Sequence, residues 1–275
     1  MFDFDVRVVG FVRSEMIHSH GQPHYGYPAL IEVLPEYVDA LRGIENSTHI
    51  IVIGWLHEAD RSILQVHRPS YDRLLKQRGV FACRSPVRPN PLGITTVRLL
   101  NVDGNILHVD GLDMVDGTPV LDLKPHSSGF DGVFSARAAR DLSRLADPDA
   151  EHAHRSMLRE AENFHGERCS GIAMGARMMY HTMKTLIVAQ KDPRVVVTLG
   201  KEFDGFGCIV DAVQALSGAT FGNNRLMVGR DSAFCFAFDE RRLTFMPKQF
   251  AALSVEEAFS APIGDLFDVR LLCES

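Results

Sequence analysis

Residues 94–112 read ITTVRLLNVDGNILHVDGL. Two runs rich in Ile, Leu, Val and Thr flank Asp103-Gly104. An Asp-Gly pair between such runs is a strong hairpin signal, because tight hairpin turns need positive φ. Working outward, similar short runs recur at 6–13 (VRVVGFVR), 29–34 (ALIEVL), 49–56 (HIIVIGWL) and 118–123, each bounded by turn residues. Only 35–43 (PEYVDALRG) reads as a helix here, started by Pro35 and stopped by Gly43. Many strands and few helices predict an all-β unit with few helices, a β-barrel or a sandwich, over residues 1–146.

The pattern changes after residue 134. SARAARDLSRLA (135–146) is helical, and the polar stretch DPDAEHAH (147–154) reads as a linker. A long helical stretch follows, broken near Gly166. Then come a strand at 195–199, a helix at 208–216 ending at Gly218, and paired strands at 234–238 and 243–246. Residues 151–275 therefore form a separate α+β domain. Met174, Met178, Met179 and Met183 have helical spacing and read as core.

The 275 residues are 45% hydrophobic and 23% charged, which excludes a disordered chain, a collagen and a simple coiled coil. The 35 acids and 29 bases give a formal charge of −6, which argues against a polycation that coats nucleic acid and against DNA as a partner. The N-terminus lacks the basic and apolar regions of a signal peptide, and no apolar run approaches a membrane span. Five widely spaced cysteines do not make a disulfide scaffold. The expectation is a cytoplasmic protein without a membrane partner.

Charge is unevenly spread. Residues 61–98 carry eight bases (Arg61, Arg68, Arg73, Lys76, Arg78, Arg84, Arg88 and Arg98) against one acid, Asp72. Within this island, GVFACRSPVRPNPLGI (79–94) packs Arg84, Arg88 and Asn90 among prolines 86, 89 and 91. Those prolines forbid helix and stiffen the backbone. A rigid loop holding two arginines binds an anion at little entropic cost. The same stretch also reads as a plain barrel crossover. Nearby, Asp110-Gly-Leu-Asp-Met-Val-Asp116-Gly concentrates three carboxylates, suited to ribose hydroxyls or a cation, or simply to ordinary turns. Asn90, which offers both donor and acceptor, and Asp116 are the candidate catalytic groups.

In the second half, His165 and Cys169 are four apart and would share a helix face, with Glu167 between them. Cys208 and Asp211 would complete a site. Cys and His ligands suit zinc, which often keeps one position open. Two other readings stay open: a reactive thiol at Cys169 beside a helix N-terminus, and ordinary core cysteines. Asp204-Gly-Phe-Gly207 lacks the third glycine and the strand–loop–helix context of a dinucleotide loop.

GVFACRSPVRPNPLGITTVRLL (79–100), LDMVDGTPVLDLKP (112–125), Gly-Phe-Val-Arg-Ser at 10–14 and HIIVIGWLHEADR at 49–61 resemble the TsaA-like family, also called YaeB or TrmO, over residues 5–140. The resemblance implies a small β-barrel that uses S-adenosylmethionine to methylate N6 of threonylcarbamoyl-adenosine in tRNA. It also implies a homodimer with the cofactor near the subunit interface. Carried over residue by residue, the cofactor contacts fall on His57, Glu58, Arg84, Ile94, Asp110, Gly111, Leu112 and Asp113, with Arg88 beside them in the motif. Arg84 would hold a carboxylate by a bidentate pair. The stretch GQPHYGYP (21–28) stands where the family carries a Pro-Arg-Gln-type motif, and its Asp-Pro-Arg-Pro-x-Tyr motif is absent. The acceptor is accordingly either tRNA or a small molecule.

FHGERCSGIAMGAR (164–177) and CIVDAVQALSGATFGNNRL (208–226) resemble the FmdE family over residues 155–248. That family typically reads HGHxCPG, so Glu167 stands in place of the second His and Ser170 in place of the Pro. A metal site on His165, Cys169 and Cys208, most readily zinc, is what this resemblance implies. Together the two halves predict an S-adenosylmethionine-dependent methyltransferase. The alternative is a non-catalytic sensor of that cofactor or of a metal.

Overall fold

A computed structural model describes residues 5–17, 26–66, 77–134, 136, 150–200, 206–230, 233–248 and 253–273. The predicted helix at 135–146, Arg68, Arg73, Lys76 and Asp204 fall outside the described residues, apart from Ala136. The described residues divide into two compact units, one up to Gly132 and one from Val133.

The first unit is a closed barrel of six antiparallel strands, β1 (Gly10–Arg13), β2 (Tyr27–Val33), β3 (His49–Trp55), β6 (Leu92–Asp103), β7 (Ile106–Leu112) and β8 (Pro119–Pro125). The order around it is β1-β2-β7-β6-β3-β8. A two-stranded ribbon of β4 (Gln65–Val66) and β5 (Arg78–Gly79) stands outside it, and α1 (Ser128–Asp131) is a single turn. The hairpin expected over 94–112 is present, with its turn one residue later than expected, at Gly104–Asn105. The expected helix at 35–43 is a 3-10 helix over Pro35–Leu41.

Side chains alternate across each strand, so every second residue faces inward. Val12, Ile31, Ile50, Val52, Val97, Leu107, Val109 and Val120 fill the barrel. Closure removes the sheet edges. Three register shifts interrupt the barrel's ladders, one of them an extra residue in β6 between Leu99 and Asn101. One residue is added in β7 near Gly111, which has φ +87°, and another in β8 between Asp122 and Val120. Such bulges bend a strand and re-aim its side chains.

The second unit is a mixed sheet with helices. α2 (Ala150–His165) and α3 (Ser170–Leu186) are followed by β9 (Val196–Leu199), α4 (Gly207–Ser217), β10 (Leu226–Val228), β11 (Phe234–Phe238) and β12 (Arg241–Pro247). α5 (Val255–Ser260), α6 (Ile263–Leu266) and β13 (Phe267–Cys273) close the chain. Strand order is β10-β9-β11-β12-β13, parallel only between β9 and β10. The predicted linker at 147–154 is cut short, because α2 starts at Ala150 and carries a stripe of Met157, Leu158 and Ala161 that must be buried. α5 begins with a capping box between Ser254 and Glu257. The four methionines of α3 are buried, as expected.

α3 and α4 approach closely because two glycines lack side chains. A Cβ at Gly171 would meet the Cys208 Cβ at 2.7 Å, and one at Gly175 would meet the Ala212 Cβ at 2.4 Å. Arg225 closes the far end of α4 by donating to the carbonyls of Asp192, Val195, Ser217 and Gly218. Much of the CIVDAVQALSGATFGNNRL motif thus builds a helix end rather than a ligand site.

His154 on α2 gives this unit a pH dependence. Its ring meets Tyr180 and Phe259 edge-on, and its buried Nε2 has no hydrogen-bond partner among the described residues. Burial, reinforced by Arg177 and Lys184, lowers its pKa to about 4. The unfolded chain binds the proton near pH 6.5. The neutral ring therefore supports folding fully above pH ~6.5, and that support is lost as pH falls towards 4. The loss is at most roughly 3 kcal/mol. Denaturant unfolding at pH 7.5 and 5 should show a smaller difference for His154→Leu than for the wild type. Equal differences would remove His154 as the responsible group.

Candidate functional site

In an antiparallel barrel, the ends of β1, β3 and β7 and the starts of β2, β6 and β8 lie at the same mouth. Every barrel residue singled out from the sequence lies on these segments or on the loop leading into β6. His57 and Glu58 are exposed in the turn after β3. Arg84, Arg88 and Asn90 lie on the loop entering β6, and Ile94 on its first residues. Asp110, Gly111 and Leu112 end β7, Asp113 follows it, and Asp116 precedes β8.

The two motif arginines have different environments. Arg88 is half-buried and donates to the carbonyls of Ser85 (2.8 Å), Val80 (3.1 Å) and Cys83 (2.7 Å). It braces the loop from inside. Arg84 is exposed and makes one hydrogen bond among the described residues, from Nη2 to the Ile94 carbonyl at 2.5 Å. That bond aims the guanidinium along the start of β6 while leaving donors for an anion. The loop is pinned further by Leu56 N–H to the Pro91 carbonyl (2.8 Å) and Arg61 Nε to the Pro89 carbonyl (2.9 Å). The Arg61 guanidinium lies 5.3 Å from the Trp55 ring centroid.

Asp113 accepts from the Thr95 hydroxyl, and Asp116 from the Ser14 N–H at 3.0 Å. Asp110, Asp113 and Asp116 are exposed, whereas Gly111 and Leu112 are buried. Asn90 is exposed, and its carbonyl accepts from Leu92 N–H at 2.8 Å. Three groups were missed in the sequence: Tyr27, Thr95 and Ser14. Tyr27 donates to the Met114 carbonyl, and burial pushes its phenol pKa up. Asp113 and Asp116 push it the same way, against a hydrogen bond with Ser14. Nothing local marks Tyr27 and Ser14, which act across segments distant in sequence, and Thr95 reaches Asp113 only across the β6–β7 hairpin.

The second unit holds a second constellation. His165, Cys169 and Cys208 each present one ligand atom, all within 4.8 Å of one another. His165 and Cys169 do not share a helix face, contrary to the sequence expectation. His165 ends α2 and Cys169 is the N-cap of α3, and Gly166 (φ +94°) turns the chain between them. Cys208 arrives on α4 through the close approach at Gly171. His165 Nδ1 bonds Asp211 Oδ2 at 2.8 Å, while its Nε2 is buried without a hydrogen-bond partner among the described residues. Burial, followed by Cys169 and then Asp211, raises the Cys208 thiol pKa to about 11. A buried imidazole oriented by a carboxylate and flanked by two thiols is a donor set that can hold a metal.

The first unit is thus a closed antiparallel barrel with a rim of mixed charge at one mouth. The chain belongs to the TrmO family: residues 12–132 match the tRNA-methyltransferase O N-terminal domain, and residues 164–255 match FmdE, Molybdenum formylmethanofuran dehydrogenase operon. A "Probable S-adenosyl-L-methionine-binding protein" of Archaeoglobus fulgidus is 38% identical over 81% of this chain, which spans 60% of that relative's length. One of Methanothermobacter thermautotrophicus with the same description is 43% identical over 48% of this chain and 98% of its own. A "Putative S-adenosylmethionine-dependent methyltransferase RcsF" of Pseudomonas aeruginosa is 33% identical over 59% of this chain and 73% of its own. The crystal structure of TrmO from Pseudomonas aeruginosa aligns with TM-score 0.43 and 21% identity over 90% of this chain and 94% of its own. No helix among the described residues is long and apolar enough to cross a membrane.

Proposed function

We propose that the barrel binds S-adenosylmethionine at this mouth and that the protein transfers its methyl group to an acceptor, either a tRNA adenosine or a small molecule. The observation that carries the reading is the charge layout of the rim. The exposed Arg84, on the loop entering β6, and three exposed carboxylates, Asp110, Asp113 and Asp116, at the end of β7 and before β8, share one mouth of the barrel. The cofactor has one carboxylate, an ammonium, a sulfonium and two ribose hydroxyls, which such a rim complements. The names of the relatives point the same way.

When bound, the cofactor supplies a methyl group already activated by positive sulfur, so catalysis rests on positioning and charge placement. Arg84 pairs with the carboxylate. Asp110 and Asp113 accept from hydroxyl or amino groups. The exposed Ile94 on β6 offers apolar contact, and backbone groups around the buried Leu112 read the adenine edge. His57 and Glu58 border the same mouth. Asn90 and Asp116 are the groups assigned to the acceptor, as donor–acceptor and as proton acceptor. Arg88 positions Arg84 by holding the loop.

Losing a charge-assisted pair costs about 2–5 kcal/mol when it is buried by the ligand. Arg84→Ala should therefore weaken S-adenosylmethionine binding at least tenfold in calorimetry. Equal affinities would remove the site. Labelled methyl from the cofactor, incubated with cell extract and separated into RNA and small-molecule fractions, identifies the acceptor. Binding without label transfer to either fraction would favour a non-catalytic sensor.

For the second unit we propose zinc held by His165, Cys169 and Cys208. The support is their mutual reach of 4.8 Å and the buried, unpartnered His165 Nε2. Asp211 on Nδ1 fixes the tautomer that leaves Nε2 as the ligand.

A further inference from the structure

Three side chains satisfy a tetrahedral ion only in part, and the surroundings of the fourth position distinguish a closed structural site from an open one. Asp211 is committed to His165 Nδ1 and is 2.8 Å from it, so it belongs behind the imidazole rather than on the ion. The carboxylate on the other side of the ring is Glu167. Its Oε1 lies 3.8 Å from His165 Nε2, the ring nitrogen that Asp211 leaves available. Two ligands on one tetrahedral zinc with bonds of ~2.0–2.3 Å sit ~3.3–3.8 Å apart. Glu167 therefore stands at ligand distance from His165, yet outside the group whose ligand atoms all lie within 4.8 Å of one another.

Burial separates Glu167 from the other donors. The His165 side chain is 15% exposed and Glu167 is 74% exposed. Glu167 sits on the turn opened by Gly166, with no helix or strand holding its backbone. The neighbouring cation does not hold its side chain either, because Arg168 pairs with Glu162 at 3.0 Å and Glu256 at 3.3 Å. An exposed, flexible carboxylate beside three better-buried donors can swing onto an ion and off it.

We infer that Glu167 is the exchangeable fourth ligand of this metal site, and that the position it vacates accepts a small thiol as its thiolate. This rests on the zinc reading above. The exchange balances: the incoming thiol forms a metal–sulfur bond as the Glu167 oxygen–metal bond breaks, and the thiol proton passes to the departing carboxylate. One anionic ligand replaces another, so the charge of the centre is unchanged. With two thiolates and an imidazole already in place, a borderline-soft ion favours sulfur over water or alcohol in the open position.

The test uses the full chain loaded with cobalt(II), which reports thiolate ligands through its charge-transfer absorption, together with metal analysis. Wild-type protein should hold one metal per chain. Ethanethiol should raise the charge-transfer intensity by about one half, as three thiolates replace two, and ethanol should not. Glu167→Ala and Glu167→Gln should retain the metal and bind ethanethiol at least about tenfold more tightly, because the competing internal ligand is gone. Failure of the wild type to bind cobalt or zinc would overturn the zinc reading itself. Metal binding with no spectral response to ethanethiol, or with equal thiol affinity in wild type and both Glu167 variants, would overturn this inference alone.

Discussion

Cys208→Ala should lower zinc affinity by more than about 100-fold, and Asp211→Ala by roughly 10–100-fold, the range for loss of a carboxylate that orients a metal-bound histidine. The two values differ because the residues do different things. In the proposed site Cys208 would supply a metal bond, whereas Asp211 holds His165 Nδ1 at 2.8 Å and so leaves Nε2 for the ion. Competition against a chelator, read by metal analysis at fixed pH, checks both. An Asp211→Ala protein with wild-type affinity would mean that the imidazole is oriented by packing alone. A Cys208→Ala protein with wild-type affinity would remove the site. Both substitutions should leave the barrel's affinity for S-adenosylmethionine unchanged.

Gly26→Ala should destabilise the barrel by about 3–5 kcal/mol, the upper end for single substitutions. Two costs combine. Gly26 has φ +70°, a conformation that L side chains rarely adopt, and an added Cβ would lie 2.4 Å from the backbone carbon of Gly111. Neither partner is a flexible side chain, so relief requires moving β2 away from the β7 bulge. Gly43→Ala is the control. It also has positive φ (+92°) but nothing within 4 Å of the added Cβ, so its cost should stay near ~1 kcal/mol. Urea unfolding of the three proteins distinguishes the cases. Similar losses for both variants would show that φ, not the close approach to Gly111, sets the requirement at Gly26. Because Asp110 and Leu112 flank that contact, Gly26→Ala should weaken cofactor binding as well.

The barrel was legible in the sequence because its signals are local. Alternation along 49–55 and 106–112, and a glycine turn after Asp103, need only near neighbours to be read. The rim was legible for a related reason. The proline-stiffened loop at 84–91 and the acidic run at 110–116 each concentrate chemistry within a few residues. Other features were hidden. β10, α5 and α6 are too short for a periodic pattern to show, and β13 pairs with β12 only across the two intervening helices. The start of α2 was missed because polar residues after Pro148 mask a helix fixed by burial of its later turns.

By itself, then, the sequence determined the two architectures, the family resemblance and the residue types available for binding. The tertiary structure decided which of them meet. The β6–β7 hairpin brings Thr95 to Asp113, but only barrel closure brings Ser14 to Asp116, since β1 and β8 are neighbours in space and not in sequence. Only the loop's folded path shows that Arg88 is used on three carbonyls while Arg84 faces outward. In the second unit, spacing suggested one helix face for His165 and Cys169. The turn at Gly166 and the glycine contact between α3 and α4 instead bring together residues from three helices. The physical reason is common to all of these. Periodicity and composition act over one or two turns of chain, whereas a site is made by side chains that burial and backbone hydrogen bonding force together from distant segments.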